Sequence, residues 1–240
     1  NVNVLVEKPI AINLKEADKI IKKARSKKLT LMVGHIERFN PAVRRLAHLI
    51  QNGRLGDIIS INIRRVGGLP PQTKNANVIM DLGIHDIDIA NFLLQSSPVE
   101  IHGFKSKSII ADQEDNALIL LKYPTATAFI EVNWVTPVKI RTLDITGTKA
   151  FAQMDYINQK IVLYENSHLA NKNEYNKMQY KDFNEFISKF CLTDSVQIGV
   201  NKAEPLKCEL EEFISAIQEK RKPAITGEDA RRALETALKI

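Results

Sequence analysis

The chain has 240 residues, 44% of them hydrophobic and 26% charged, and 34 Lys and Arg against 28 Asp and Glu give it a net charge of +6. That composition suits a globular protein with a real core. No stretch approaches the roughly 20 apolar residues of a membrane span, and the opening residues lack the basic and then apolar order of a signal peptide.

The lysines are scattered over helix faces, as in Lys15, Lys19, Lys22 and Lys23, and no basic run alternates with aromatics. Nucleic acid is therefore not an expected partner, although a weak preference for anionic ligands survives. Cys191 and Cys208 have no CxxC spacing, which argues against a disulfide framework or a thiolate zinc site and points to a reducing cytoplasm.

In chain order, residues 2–8 carry a continuous β-branched run that predicts a buried strand. With no initiator Met and a strand already under way, the chain is expected to begin inside a fold. Asn13 with Glu16 has the form of a capping box, and Leu14, Ala17, Ile20, Ile21 and Ala24 follow at helical spacing. Residues 29–33 predict a second strand, closed by Gly34. Strand, crossover helix and strand fit the last βαβ unit of a parallel doubly wound sheet.

Asn40-Pro41 predicts the cap and first position of a helix running to about Gly53. Ile59, Ile61 and Ile63 then alternate with polar residues, as in a strand with one buried face. After a Gly- and Pro-rich loop, a helix is predicted over about 78–95, and strands at roughly 99–107, 115–123, 126–135, 139–147, 150–155 and 160–164. The expected whole is α/β plus α+β: a remnant of a Rossmann sheet followed by a large antiparallel sheet with helices on one face. Ala128, Ile130, Val132 and Trp134 are apolar positions that one helix layer cannot all cover, so the open face is expected to pair copies into a homo-oligomer, a dimer or tetramer. Residues 165–180 read as polar and mobile. Leu206, Leu210, Phe213, Ile214 and Ile217 form a helical stripe, and Thr226 with Asp229 offers a second capping box.

Three clusters can carry chemistry. Glu7-Lys8-Pro9 ends a parallel strand, the edge where ligands of open α/β sheets sit, and Pro9 restricts its predecessor and admits a cis bond, so Lys8 would be aimed in a fixed direction. A solvated lysine is the plainer alternative. Gly34-His35-Ile36-Glu37-Arg38-Phe39-Asn40-Pro41 follows the next strand, so His35, Arg38 and the amides of the helix start can face the same crevice. Alternatively, Arg38 is an ion-pair partner and Asn40-Pro41 simply a cap. Asp81-Leu82-Gly83-Ile84-His85-Asp86-Ile87-Asp88 puts Asp81, His85 and Asp88 on one helix face, where Asp81 can hold one imidazole nitrogen and leave the other free to take a proton. The same three residues are also a conceivable divalent-metal set for a hydrolase, although no HxH or HExxH partner is evident. A third reading is a non-catalytic sheet domain for oligomerisation.

Taken together, in this order and spacing, these clusters resemble the Gfo/Idh/MocA oxidoreductases. The resemblance rests on Glu7-Lys8-Pro9, on Gly34-His35 with Arg38 and Asn40-Pro41, on Asp81-Leu82-Gly83-Ile84-His85, and on the closing helices with Leu210-Glu211-Glu212-Phe213-Ile214 and Thr226-Gly227-Glu228-Asp229-Ala230. It implies an NAD- or NADP-dependent dehydrogenase acting on a sugar or nucleotide-sugar hydroxyl. Lys8, Asp81 and His85 would be catalytic, and Glu7, Lys8, Pro9, His35 and Arg38 would lie against the cofactor. It also implies residues 1–36 as the end of a dinucleotide-binding domain, with 226–240 packing back on it, and residues 37–240 as the substrate and oligomerisation domain. The segment from His35 to Pro41, with Arg65-Val66-Gly67 and the Pro70-Pro71 loop, is similar to members acting on UDP-N-acetylglucosamine at the sugar 3-position. Arg65 would then meet a phosphate or the sugar, or else serve in a structural ion pair. No GxGxxG occurs among the 240 residues. The chain as given is therefore expected to bind the dinucleotide weakly and to be inactive alone.

Overall fold

The computed structural model describes residues 2–68, 77–110, 112–165, 181–184 and 194–240. Strands β1 (Val4–Glu7) and β2 (Leu31–Gly34) pair in parallel, with Val4 opposite Leu31 and Glu7 opposite Gly34. Helix α1 (Leu14–Ser26) makes the crossover, and its Asn13 cap accepts the Glu16 amide at 2.9 Å. The expected βαβ unit is therefore present. Ala17 of α1 packs with Ile10, Met32, Val33 and Phe39 in a small core that Ile225, Ala230 and Leu234 complete.

A 3-10 turn at Ile36–Phe39, not foreseen in the sequence, leads into α2 (Pro41–Gln51). Asn40 works in both directions there. Its Oδ1 accepts the Ala42 amide at 3.0 Å, and its Nδ2 donates to the Tyr156 carbonyl at 3.0 Å, tying the turn to the sheet domain.

The large sheet contains β3 (Ile58–Gly68), β4 (Glu100–Ser106), β5 (Asn116–Lys122), β6 (Thr127–Asn133), β7 (Val135–Gly147), β8 (Ala150–Asp155), β9 (Lys160–Glu165) and β10 (Ser195–Ile198). Their spatial order is β10-β9-β8-β7-β3-β6-β5-β4. The sheet is mixed rather than wholly antiparallel, because β3 pairs in parallel with β6. Consecutive strands β6 and β7 run in opposite directions, and β3 lies between them, so it must be parallel to one of the two.

The helix predicted over 78–95 is two pieces, a π turn at Ile79–Gly83 and α3 (Ile84–Leu94). The π turn lies against the sheet, where a Cβ on Gly83 would be in ordinary contact with the Ile119 side chain at 3.4 Å. The alternation of the sheet falls the other way round from the expectation. Ala128, Ile130, Val132 and Trp134 are buried under the helices, and the open face carries Leu118, Leu120 and Phe129, of which Leu120 is 45% exposed. Period-two alternation identifies two faces but does not say which one the helices cover.

Two helices close the chain, α4 (Pro205–Gln218) and α5 (Gly227–Leu238). The predicted capping box is formed: the Asp229 amide donates to Thr226 Oγ1 at 3.2 Å, and the Thr226 amide donates to Asp229 Oδ2 at 2.9 Å. The polar stretch expected to be mobile lies, from residue 166 on, outside the described residues, as do Pro70, Pro71 and Cys191.

Candidate active site

Lys8 leaves the carboxyl end of β1, and its bond to Pro9 is cis. Its ammonium reaches across to the π turn, donating to the Asp81 carbonyl at 2.6 Å and to Asp81 Oδ1 at 3.2 Å. Trp134, at the end of β6, donates its indole N–H to Asp81 Oδ2 at 3.2 Å. Both carboxylate oxygens are thus engaged, and the βαβ unit is joined to the π turn and the large sheet at this point.

The hydrogen bond expected from Asp81 to His85 is absent. Lys8 and Trp134 hold the carboxylate, and His85 Nδ1 is enclosed with no hydrogen-bond partner. The His85 ring is half-buried at the start of α3. Desolvation, and then the charges of Lys8 and Arg65, hold its pKa well below the usual imidazole value, so the ring is neutral near pH 7. His35 lies edge-on to it, with ring centroids 6.5 Å apart. Burial lowers the His35 pKa as well, and at 1% exposure it backs His85 rather than opening on the crevice.

The two arginines singled out in the sequence are spent within the fold. Arg38 forms a paired contact with Asp88, Nε to Oδ2 at 2.7 Å and Nη2 to Oδ1 at 2.6 Å, and its guanidinium lies over the Phe92 ring. Arg65 is 1% exposed, with Nε 2.9 Å from both Asp86 oxygens, Nη1 2.7 Å from Glu37 and its plane over Tyr156. Both therefore take the ion-pair alternative. Desolvation disfavours the buried Arg65 charge, but Asp86 and Glu37 outweigh it and hold its pKa well above the usual value.

The metal alternative fails on the same geometry. Asp81 faces Lys8 and Asp88 faces Arg38, so these carboxylates do not converge with His85. Among the described residues, no group of three or more His, Cys, Asp or Glu side chains is placed to hold a metal ion.

Sequence reasoning missed Trp134 as a partner of Asp81, and it missed Glu37, Asp86, Tyr156 and Arg141 around Arg65. The signals were weak: a single Trp at a strand end, and acidic residues flanking positions already singled out.

Toward a dinucleotide, the chain supplies the carboxyl ends of two parallel strands, with Glu7 exposed and Lys8 partly so. The first of these strands has a free edge, since β1 and β2 form a two-stranded sheet. Ligands of open α/β sheets lie beyond such strand ends. The glycine-rich turn that would cradle pyrophosphate is not among the 240 residues.

Comparison with known proteins adds the ancestry. A family model described as the GFO/IDH/MocA C-terminal domain matches residues 43–174, and one described as the oxidoreductase family, NAD-binding Rossmann fold, matches residues 1–35. The chain is similar to a UDP-N-acetylglucosamine 3-dehydrogenase of Acidithiobacillus ferrooxidans, 27% identical over 240 residues that make up 100% of this chain and 70% of that protein. It is also similar to a myo-inositol 2-dehydrogenase of Thermotoga maritima, 22% identical over 97% of this chain and 67% of that protein. A solved structure of the A. ferrooxidans enzyme matches with a TM-score of 0.82 and 25% identity, over 100% of this chain and 69% of that one.

Proposed function

The chain belongs to the Gfo/Idh/MocA family of NAD-binding oxidoreductases, and from that premise we propose that it carries the substrate-facing part of a dehydrogenase acting on a sugar or nucleotide-sugar hydroxyl. The observation that carries this reading is the Lys8–Asp81 pair beside a half-open, neutral His85.

An ammonium has three N–H donors. Two are taken by the Asp81 carbonyl and carboxylate, which leaves the third for the substrate oxygen. Trp134 and Lys8 fix the Asp81 carboxylate, and Asp81 in turn fixes the direction of that third donor. The nicotinamide, when bound, supplies the site that accepts the hydride. As the carbinol carbon gives up hydride, its hydroxyl proton passes to His85, and Lys8 stabilises the charge that develops on oxygen. The environment that keeps His85 neutral also makes holding the proton costly, so His85 passes it on to solvent rather than storing it.

On the finer points, we take Lys8, Asp81 and His85 as the catalytic residues and Glu7, Lys8 and Pro9 as the cofactor-facing ones. Arg38, His35 and Arg65 support them from behind. The units are residues 1–36 with the closing helix, and residues 37–240. The preferred substrate is a nucleotide sugar oxidised at a ring hydroxyl, as the name of the A. ferrooxidans relative suggests for that enzyme, and a free polyol is the second choice. A second copy of the chain covers the open sheet face, where Leu118, Leu120 and Phe129 are exposed. The cytoplasm is the proposed compartment; among the described residues no helix is long and apolar enough to cross a membrane.

The test is a panel assay on the enzyme carrying a complete dinucleotide-binding domain. Nicotinamide reduction is measured with UDP-N-acetylglucosamine, myo-inositol and simple alcohols. Turnover of a sugar or nucleotide sugar is expected, and turnover of simple alcohols alone would refute the reading.

A further inference from the structure

One cation near the site is not spent. Arg141, on β7, stands opposite Arg65 of β3 in the antiparallel register. Cross-strand partners share a face of the sheet, and Arg65 bonds Asp86 on α3, so Arg141 is directed to the same, helix-covered side. Lys8, Arg38 and Arg65 are each bonded to carboxylates of the protein. Among the described residues, the Arg141 guanidinium makes no hydrogen bond. Its ion pair is a loose one, Nη1 3.7 Å from Glu37 Oε1, and that oxygen is already taken by Arg65 at 2.7 Å. Arg141 Nε is enclosed without a partner, while the side chain as a whole is 30% exposed.

An enclosed N–H without an acceptor has lost its water and gained nothing in return, so this guanidinium is not held in place by hydrogen bonds of its own. The Nη groups are not enclosed, and among the described residues no carboxylate stands within hydrogen-bond distance of them, so they are the donors that a ligand can reach. The position fits such a ligand, because Arg65, the cross-strand partner of Arg141, bonds Asp86, which adjoins His85 on α3, and this puts Arg141 on the side of the sheet that faces the groups placed around the reacting hydroxyl. A guanidinium presents its donors in a planar fork that matches the two oxygens of a carboxylate or phosphate, and a neutral polyol gains little from it.

We infer that Arg141 is a specificity-determining residue that receives an oxyanion of the substrate, a carboxylate or a phosphate borne close to the hydroxyl that is oxidised. This rests on the reading of Lys8, Asp81 and His85 as the surroundings of that hydroxyl. It narrows the substrate class to anionic sugar derivatives and places free polyols outside it.

The test is calorimetric titration of the 240-residue chain with three probes: N-acetylglucosamine 1-phosphate, glucuronate and neutral N-acetylglucosamine. At least one anionic probe is expected to bind tighter than the neutral one, by about 10-fold or more, as two charge-assisted hydrogen bonds allow. Arg141→Gln should abolish that preference and leave the neutral probe unchanged. Arg141→Lys should keep part of it, because it retains the charge without the fork. Lys149→Gln removes the same charge in the turn between β7 and β8 and should leave the preference intact. The probe that loses affinity identifies phosphate or carboxylate. A wild-type chain with no anion preference, or an Arg141→Gln chain that retains it, would overturn the inference. An equal loss for all three probes would also overturn it, since that marks a purely structural role. Hydride transfer plays no part in this assay, so its failure leaves the dehydrogenase reading standing, and a failure of turnover leaves the binding result standing.

Discussion

Replacing Glu209 by Gln should stabilise the chain at alkaline pH. Glu209 projects from α4 and is fully enclosed, and neither carboxylate oxygen has a hydrogen-bond partner. It shares the space above Gly34 with Glu7: a Cβ on Gly34 would lie 3.0 Å from Glu7 Oε2 and 3.2 Å from Glu209 Oε1. Burial first, and the Glu7 charge second, push the Glu209 pKa up from 4.5 to about 7. Between those values the folded chain holds a proton that the unfolded chain has released, so stability falls as pH rises through this window and levels off above 7. At ~1.4 kcal/mol per unit, the loss is about 3 kcal/mol at pH 8 and under about 1 kcal/mol at pH 5. The Gln amide has nearly the same shape and no charge to desolvate. Urea unfolding at both pH values should therefore show the variant ahead by about 2–3 kcal/mol at pH 8, with most of the gap gone at pH 5. A difference independent of pH, or a variant less stable at pH 8, would refute the argument.

Two further outcomes follow from the packing. Asp88→Asn leaves the buried Arg38 guanidinium with only the more distant Asp229 carboxylate, 4.0 Å away, and should cost about 3 kcal/mol in denaturant unfolding, a loss that adding Arg38→Met should partly restore. If the single variant unfolds like the wild type, the pair is not the brace described. On the open sheet face, Leu120→Lys together with Phe129→Lys should convert an oligomer to monomer in sedimentation velocity, and an unchanged sedimentation coefficient would remove that face from the interface.

Most of the fold was legible because local signals agreed with the global arrangement. The Asn13, Asn40 and Thr226 caps mark helix starts by chemistry that acts over two or three residues. What could not be read depends on contacts distant in sequence. No local signal marks the π turn before α3, and the parallel pairing of β3 with β6 is a matter of strand order. The same holds at the site. Lys8 and Asp81 were visible as a strand end and a helix start, but their mutual bond spans 73 positions. Because Lys8 and Trp134 engage Asp81 from outside the helix, the local Asp81–His85 pairing suggested by an i, i+4 spacing does not form. Arg141 was not visible at all, since its position is set by cross-strand register with Arg65.

The account stands most directly on the turnover of two variants in the enzyme carrying a complete dinucleotide-binding domain. Lys8→Met removes the donor and the brace on Asp81, and His85→Ala removes the proton acceptor. Each should lower kcat by about 10²–10⁴-fold while KM changes far less, because both groups act on charge that appears in the transition state. Either variant turning over at the wild-type rate, with its thermal unfolding unchanged, would contradict the assignment of this site.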